Sequence, residues 1–402
     1  MRQYAIITGS YWAFTLTDGA LRMLVVLYFH QLGYSPLDIA LLFLFYELFG
    51  VVTNLFGGWI AARVGLAATL IGGLVLQVGA LSMLLVDDTY LTVAYVMVAQ
   101  ALSGVAKDLN KMSAKSSVKL IAGDSEGRLY RWVAALTGSK NALKGIGFFL
   151  GGALLSTVGF GNAVGGMAIM LGVIAVSTFF LLDRDLGKAT FKPKFNDLVS
   201  KSPRINCLSA ARLFLFGSRD VWFVVALPVF LQLELGWSSV AVGTLLAVWV
   251  VGYGVIQAFS PSITGSHHGH PPDGGTAVKW GTVLTGLPLL IAGSFLLDVD
   301  PEWAVVVGLI IFGAVFAINS SVHSYLIISY AESDGVSLDV GFYYMSNAAG
   351  RLVGTLCSGW VYQVWGFQTC LLVSAGFVAA ATFISMELPK GSQALEPGSG
   401  NR

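Results

Sequence analysis

Lys107, Lys111 and Lys115 recur at intervals of four residues, and Lys140 and Lys144 repeat that interval once. Helical side chains four apart share a face, so each set predicts a stripe of positive charge. Arg212 and Arg219, seven apart, fall on one side of a further helix. With Arg22 and Arg351 they make nine basic side chains set in apolar sequence, and only four acids lie deep beside them: Asp18, Glu47, Asp108 and Asp220. Guanidinium groups offer planar forks for phosphate-like oxygens, and ammonium groups add mobile point charge. A surplus of five such charges is suited to holding a multiply charged anion. Asn54, Asn110, Asn141, Asn319 and Asn347 either donate to it or cross-link helices, and Asn110, Asn141 and Asn347 are the candidates for its binding site. Tyr344, with Tyr343 and Trp12, is a candidate wall or a packing aromatic. The four acids are candidates for proton coupling, and the cations beside them leave open whether they hold a proton. A purely structural reading stands alongside: the cations are then held by acids and carbonyls, and Asp18 with Arg22, four apart, forms an internal salt bridge.

The elements that must carry these side chains are membrane helices. Of 402 residues, 55% are hydrophobic and 11% charged, and mean hydropathy is +0.75. Soluble domains carry about 25% charged residues. A cytosolic globule and a disordered chain are excluded, and a net charge of +1 gives no field for nucleic acid. A spanning helix needs about 20 apolar residues. Twelve are expected: 9–31, 38–60, 66–86, 90–118, 128–157, 162–182, 206–232, 239–259, 279–297, 303–329, 338–364 and 367–387. The first is read as a retained helix, since no small-residue cleavage site follows it. With both termini cytoplasmic, the inner segments hold the remaining fourteen of the 23 Lys and Arg, and the outer loops hold none. This bias predicts N-in, C-in. Each uncompensated charge at mid-bilayer costs roughly 2.5–3.5 kcal/mol, so Lys107, Lys140, Lys144 and Arg351 should face an aqueous cavity, while Lys115 can reach outward from a helix end.

The chain repeats at about half its length. Leu32-Gly33-Tyr34-Ser35 answers Leu235-Gly236-Trp237-Ser238, and Asp124-Ser125-Glu126-Gly127 answers Glu332-Ser333-Asp334-Gly335. Ser113, Lys115 and Ser116 meet Ser321, His323 and Ser324; Ser139, Lys144, Gly147 and Gly152 meet Ser346, Arg351, Gly354 and Gly359. The expected organisation is a six-helix half over 1–182, a basic cytoplasmic linker over 183–205, a second half over 206–389 and a cytoplasmic tail over 390–402. Two six-helix halves rocking about a central site is the plan of major facilitator transporters. Gly58-Trp59-Ile60-Ala61-Ala62-Arg63-Val64-Gly65 resembles the motif of that superfamily between its second and third helices, with Ala62 where the motif has Asp. The resemblance implies an all-α fold in two pseudo-symmetric halves, with the cation-bearing helices around the central cavity. It also sets Arg22 and Arg219 at places comparable to the paired arginines of organophosphate exchangers.

Three stretches carry a narrower resemblance: Tyr11 to Arg22 (YWAFTLTDGALR), Gly104 to Ser116 (GVAKDLNKMSAKS) and Thr137 to Gly145 (TGSKNALKG). They resemble the ArsJ organoarsenical efflux permeases. That resemblance implies export of 1-arseno-3-phosphoglycerate across a bacterial inner membrane. A glyceraldehyde-3-phosphate dehydrogenase that uses arsenate would supply the compound, as a functional link without a required physical complex. A monomer in the lipid bilayer is expected, with no nucleic-acid partner, no cofactor and no metal. Pentavalent arsenate esters behave as phosphate esters, so Cys207, Cys357 and Cys370 read as small packing residues. The His267, His268 and His270 loop reads as solvated.

Other classes fit less well. An exporter or exchanger of another organophosphate shares the cation pattern. A membrane-embedded phosphotransferase or lipid hydrolase would need a nucleophile and base, yet there is no G-x-S-x-G or H-E-x-x-H. No P-loop is present for ATP-driven pumping. His323 reads as a polar cavity or packing residue.

Overall fold

A computed structural model describes residues 2–34, 42–122, 126–183, 185–188, 200–237, 239–265, 271–297, 299–332, 334 and 336–390. The three-histidine loop, most of the linker, the tail and the Asp124-centred repeat segment lie wholly or largely outside these residues, as does the side chain of Glu47. The helices are α1 (Arg2–Gln31), α2 (Leu44–Val64), α3 (Leu66–Met83), α4 (Val93–Ala122), α5 (Glu126–Val158), α6 (Phe160–Leu181), α7 (Pro203–Phe223), α8 (Ala226–Leu233), α9 (Ser239–Ile263), α10 (Gly274–Ser294), α11 (Pro301–Tyr330) and α12 (Val336–Ser385). Among the described residues there is no strand, and ten helical stretches are long and apolar enough to cross a membrane.

Three departures from the expected spans have local causes. Span seven is two pieces, α7 and α8, because Pro228 has no N–H to donate and its ring crowds the carbonyl of Val224, where α7 stops. Spans eleven and twelve run on as α12, 50 residues interrupted at Gly366, where φ is 79°. A left-handed residue of that kind turns the chain at little cost only when it is glycine. α4, at 30 residues, is not one of the ten apolar stretches, since Lys107, Asp108, Lys111 and Lys115 interrupt its run.

The chain forms two compact units. The first comprises Met1–Gly123, Ser139–Val199 and Ala331–Met345; the second comprises Asp124–Gly138, Ser200–Tyr330 and Ser346–Arg402. Glycine contacts account for the two short arms. In the first unit a Cβ on Gly341 would lie 2.7 Å from the Asn54 carbonyl oxygen of α2 and 2.9 Å from Gly58 Cα. In the second, a Cβ on Gly138 would lie 2.6 Å from Ala258 N of α9. Such seams let helices approach without side chains between them.

Each unit has its own apolar core. In the first, Leu24, Phe29, Leu74, Leu81, Val164 and Leu171 bring α1, α3 and α6 together. In the second, Trp222, Phe312 and Phe367 pack edge to face across α7, α11 and α12. Phe149, Ile169, Phe180, Leu290 and Phe383 point outward. Exposed apolar faces of this size are what lipid would cover.

Candidate functional site

In the first unit, α4 and α5 bring Lys107, Lys111 and Lys144 to two carboxylates, Asp108 of α4 and Asp18 of α1. Lys111 Nζ donates to Asp108 Oδ1 at 2.5 Å, and Lys107 Nζ stands 3.9 Å from Asp108 Oδ2. Lys144 Nζ lies 4.0 Å from Asp18 Oδ2. Lys140 Nζ donates to Asn141 Oδ1 at 3.0 Å. The predicted stripe on α4 holds, with aromatic rings beneath it: Lys107 Nζ is 3.7 Å from the Tyr46 ring centroid, Lys111 4.8 Å and Lys115 6.0 Å from that of Tyr344. Tyr344, on the short α12 arm, thus joins the site.

Three expectations fail here. Asp18 does not pair with Arg22: it accepts the Tyr46 hydroxyl at 2.7 Å and faces Lys144, while the Arg22 guanidinium lies over Phe43 at 5.0 Å and Tyr46 at 5.2 Å. Lys115 does not reach outward. α4 continues to Ala122, which leaves Lys115 two turns from the helix end and only 3% exposed. Asn110 is not brought to the lysines: it is fully buried, donates to the Ala106 carbonyl and packs against Gly73 of α3.

In the second unit, Asp220 is fully buried and takes two guanidinium groups, Arg219 at 2.5 Å and Arg351 Nε at 3.2 Å. Arg212 donates to Asn347 Oδ1 at 3.1 Å, to the Ser320 carbonyl at 3.1 Å and to Ser324 Oγ at 3.5 Å. The common face of Arg212 and Arg219 is real: Phe216 stands between them, 4.0 Å from one guanidinium carbon and 5.0 Å from the other. His323, one residue before Ser324, is 1% exposed, and its Nδ1 has no hydrogen-bond partner among the described residues.

The same joint is built in each unit. Lys144 of α5 faces a carboxylate of α1, and Arg351 of α12 bonds a carboxylate of α7. Beneath both lies a glycine seam: a Cβ on Gly147 would be 3.1 Å from Gly19 Cα, and one on Gly354 3.0 Å from Gly217 Cα. The internal repeat therefore extends to the chemistry of the site. None of the nine cations is exposed.

Several participants lack a sequence signal. Tyr46 sits among Phe43, Phe45 and Phe49, with nothing in its spacing to separate it from them. Ser320 has nothing in the sequence to mark it, and Ser324 is marked only by its repeat match to Ser116. Asp339 did carry a signal, since it falls inside the predicted span 338–364, and it is buried on α12. Counting it lowers the embedded surplus from five to four.

The Major Facilitator Superfamily profile matches residues 7–264 and 208–399. The chain belongs to the Major Facilitator Superfamily. It is a multi-pass membrane transporter rather than an enzyme. Solved structures of this superfamily share its fold at low identity. The human organic anion transporter MFSD10 (TETRAN) is 16% identical with a TM-score of 0.72, over 96% of this chain and 99% of that one. A bacterial homologue of the iron transporter ferroportin, outward-facing, is 12% identical with a TM-score of 0.74, over 96% and 99%. The Escherichia coli fucose:proton symporter is 14% identical with a TM-score of 0.73, over 96% and 99%. No curated protein matches the chain in sequence.

Proposed function

We propose that this facilitator exports 1-arseno-3-phosphoglycerate from the bacterial cytoplasm by alternating access, coupled to protons or to a counter-anion. The observation that carries the reading is the excess of embedded cations over carboxylates within each unit. Asp108 faces two lysines and Asp220 two arginines, while Asp18 faces Lys144. An uncompensated charge in the bilayer is costly, so charge arriving with a substrate is the simplest compensation. A substrate with phosphate at one end and an arsenate ester at the other brings several negative charges of the kind such cation clusters compensate. The three ArsJ-like stretches contain Asp18, Arg22, Lys107, Asp108, Lys111, Lys140 and Lys144, most of the first-unit site. The organic anion named for the MFSD10 structure is of the same charge class. The proposed topology is N-in, C-in, with halves at 1–182 and 206–389, and the proposed unit of transport is a monomer in the plasma membrane.

The test is arsenate tolerance of cells expressing the protein with and without an arsenate-using glyceraldehyde-3-phosphate dehydrogenase. Protection only in the presence of the dehydrogenase is expected. Equal protection without it points to export of arsenate itself. Protection by neither arrangement, with flux of another phosphate ester, points to a different organophosphate.

A further inference from the structure

Lys107 is the odd member of the α4 stripe. Lys111 closes on Asp108 Oδ1 at 2.5 Å, whereas Lys107 stops 3.9 Å short of Asp108 Oδ2. That Oδ2 is buried and has no hydrogen-bond partner among the described residues. The Lys107 ammonium likewise makes no hydrogen bond among them. A buried carboxylate oxygen and an ammonium so close would ordinarily close the remaining ångström. What lies against the ammonium instead is the Tyr46 ring, 3.7 Å from its centroid.

The ring is fixed from three sides. Its hydroxyl donates to Asp18 Oδ1 on α1 at 2.7 Å. Its backbone is pressed by α4 itself: a Cβ on Gly104 would lie 2.6 Å from the Tyr46 carbonyl oxygen and 3.0 Å from its Cα. The Arg22 guanidinium lies 5.2 Å from the same ring. One turn further along α2, Gly50 leaves room for Asp108, since a Cβ there would lie 2.9 Å from Oδ2. A ring face attracts a cation without accepting a directed hydrogen bond, so it holds charge in place and leaves the N–H donors unspent.

We propose that the Tyr46 ring is a positioning element that keeps the Lys107 ammonium from closing on Asp108, so that its donors stay available to the anionic substrate. The proposal rests on the reading of this site as a polyanion site. Without the ring, Lys107 drops onto Asp108 Oδ2 and is neutralised.

The full chain in detergent is titrated with 2,3-bisphosphoglycerate, a stable three-carbon bisphosphate, by calorimetry. Tyr46→Leu should weaken binding by about ten-fold or more, the scale of one hydrogen bond to a charged group. Tyr46→Phe keeps the ring and should stay within about three-fold, on the same scale. Adding Asp108→Asn to Tyr46→Leu should recover most of the loss, and Asp108→Asn alone should tighten binding. A merely structural tyrosine would not be rescued by removing a carboxylate. Binding unaltered in Tyr46→Leu, a loss in Tyr46→Phe equal to that in Tyr46→Leu, or no recovery in the folded double variant overturns the proposal. If Tyr46→Leu does not fold, the other two single variants decide: weaker binding by Asp108→Asn, or a ten-fold loss in Tyr46→Phe, overturns it. Wild-type protein that ignores the probe brings down the polyanion reading and this proposal together. Wild-type binding with indifferent variants brings down the proposal alone.

Discussion

Asp220 shows most plainly how residue identity and setting combine. A fully buried carboxylate between two guanidinium groups accepts from both, and removing it takes that shared partner away. Breaking a buried pair from one side costs about 3–5 kcal/mol. Asp220→Asn should therefore lower the thermal unfolding midpoint clearly in detergent; an unchanged midpoint would show that the arginines find other partners. Asp220 is accordingly a holder of arginines before it is a proton carrier, while Asp18, with a tyrosine donor and a lysine 4.0 Å away, is less committed. Lys107→Ala and Lys144→Ala should abolish transport and leave membrane insertion intact, measured as flux against protein recovered in the membrane fraction. Wild-type flux in Lys144→Ala would remove it from the site. The cations were legible in the sequence because charge in apolar sequence is rare. Their rings were not, because Tyr46 and Phe216 differ from neighbouring aromatics only in what folds against them.

Among the elements, most span positions followed from hydropathy, α4 with its lysines excepted, and the helix breaks followed from single residues that hydropathy does not weigh. Pro228 divides span seven, and Gly366 divides α12. The expected outward reach of Lys115 fails because the predicted span stops at 118 while the helix runs to Ala122. Helix ends depend on caps and packing rather than on apolar periodicity. α10 has such a cap: Asp273 accepts from Thr276 N at 2.9 Å, and the Thr276 hydroxyl answers the Asp273 backbone N–H. Asp273→Ala should cost about 0.5–2 kcal/mol, read as a modest drop in midpoint with transport retained. The seams are less forgiving. Gly147→Val sets a branched side chain against α1 beside Gly19 and should separate α1 from α5, losing both stability and flux. A folded, active Gly147→Val would show that the Asp18–Lys144 joint does not depend on that approach.

For the whole molecule, the duplication was visible in sequence as paired short matches, and it reappears as paired chemistry: a carboxylate on α1 or α7 facing a cation on α5 or α12. The superfamily follows from the chain itself, while the cargo rests on charge and on three short resemblances. Everted membrane vesicles test it most directly. They are given arsenate, glyceraldehyde 3-phosphate, NAD and the arsenate-using dehydrogenase, and arsenic trapped inside is measured. Export of the organoarsenical requires trapping that depends on all four additions and disappears in Lys107→Ala and Lys144→Ala; trapping from arsenate alone, or none from the complete mixture, rules it out.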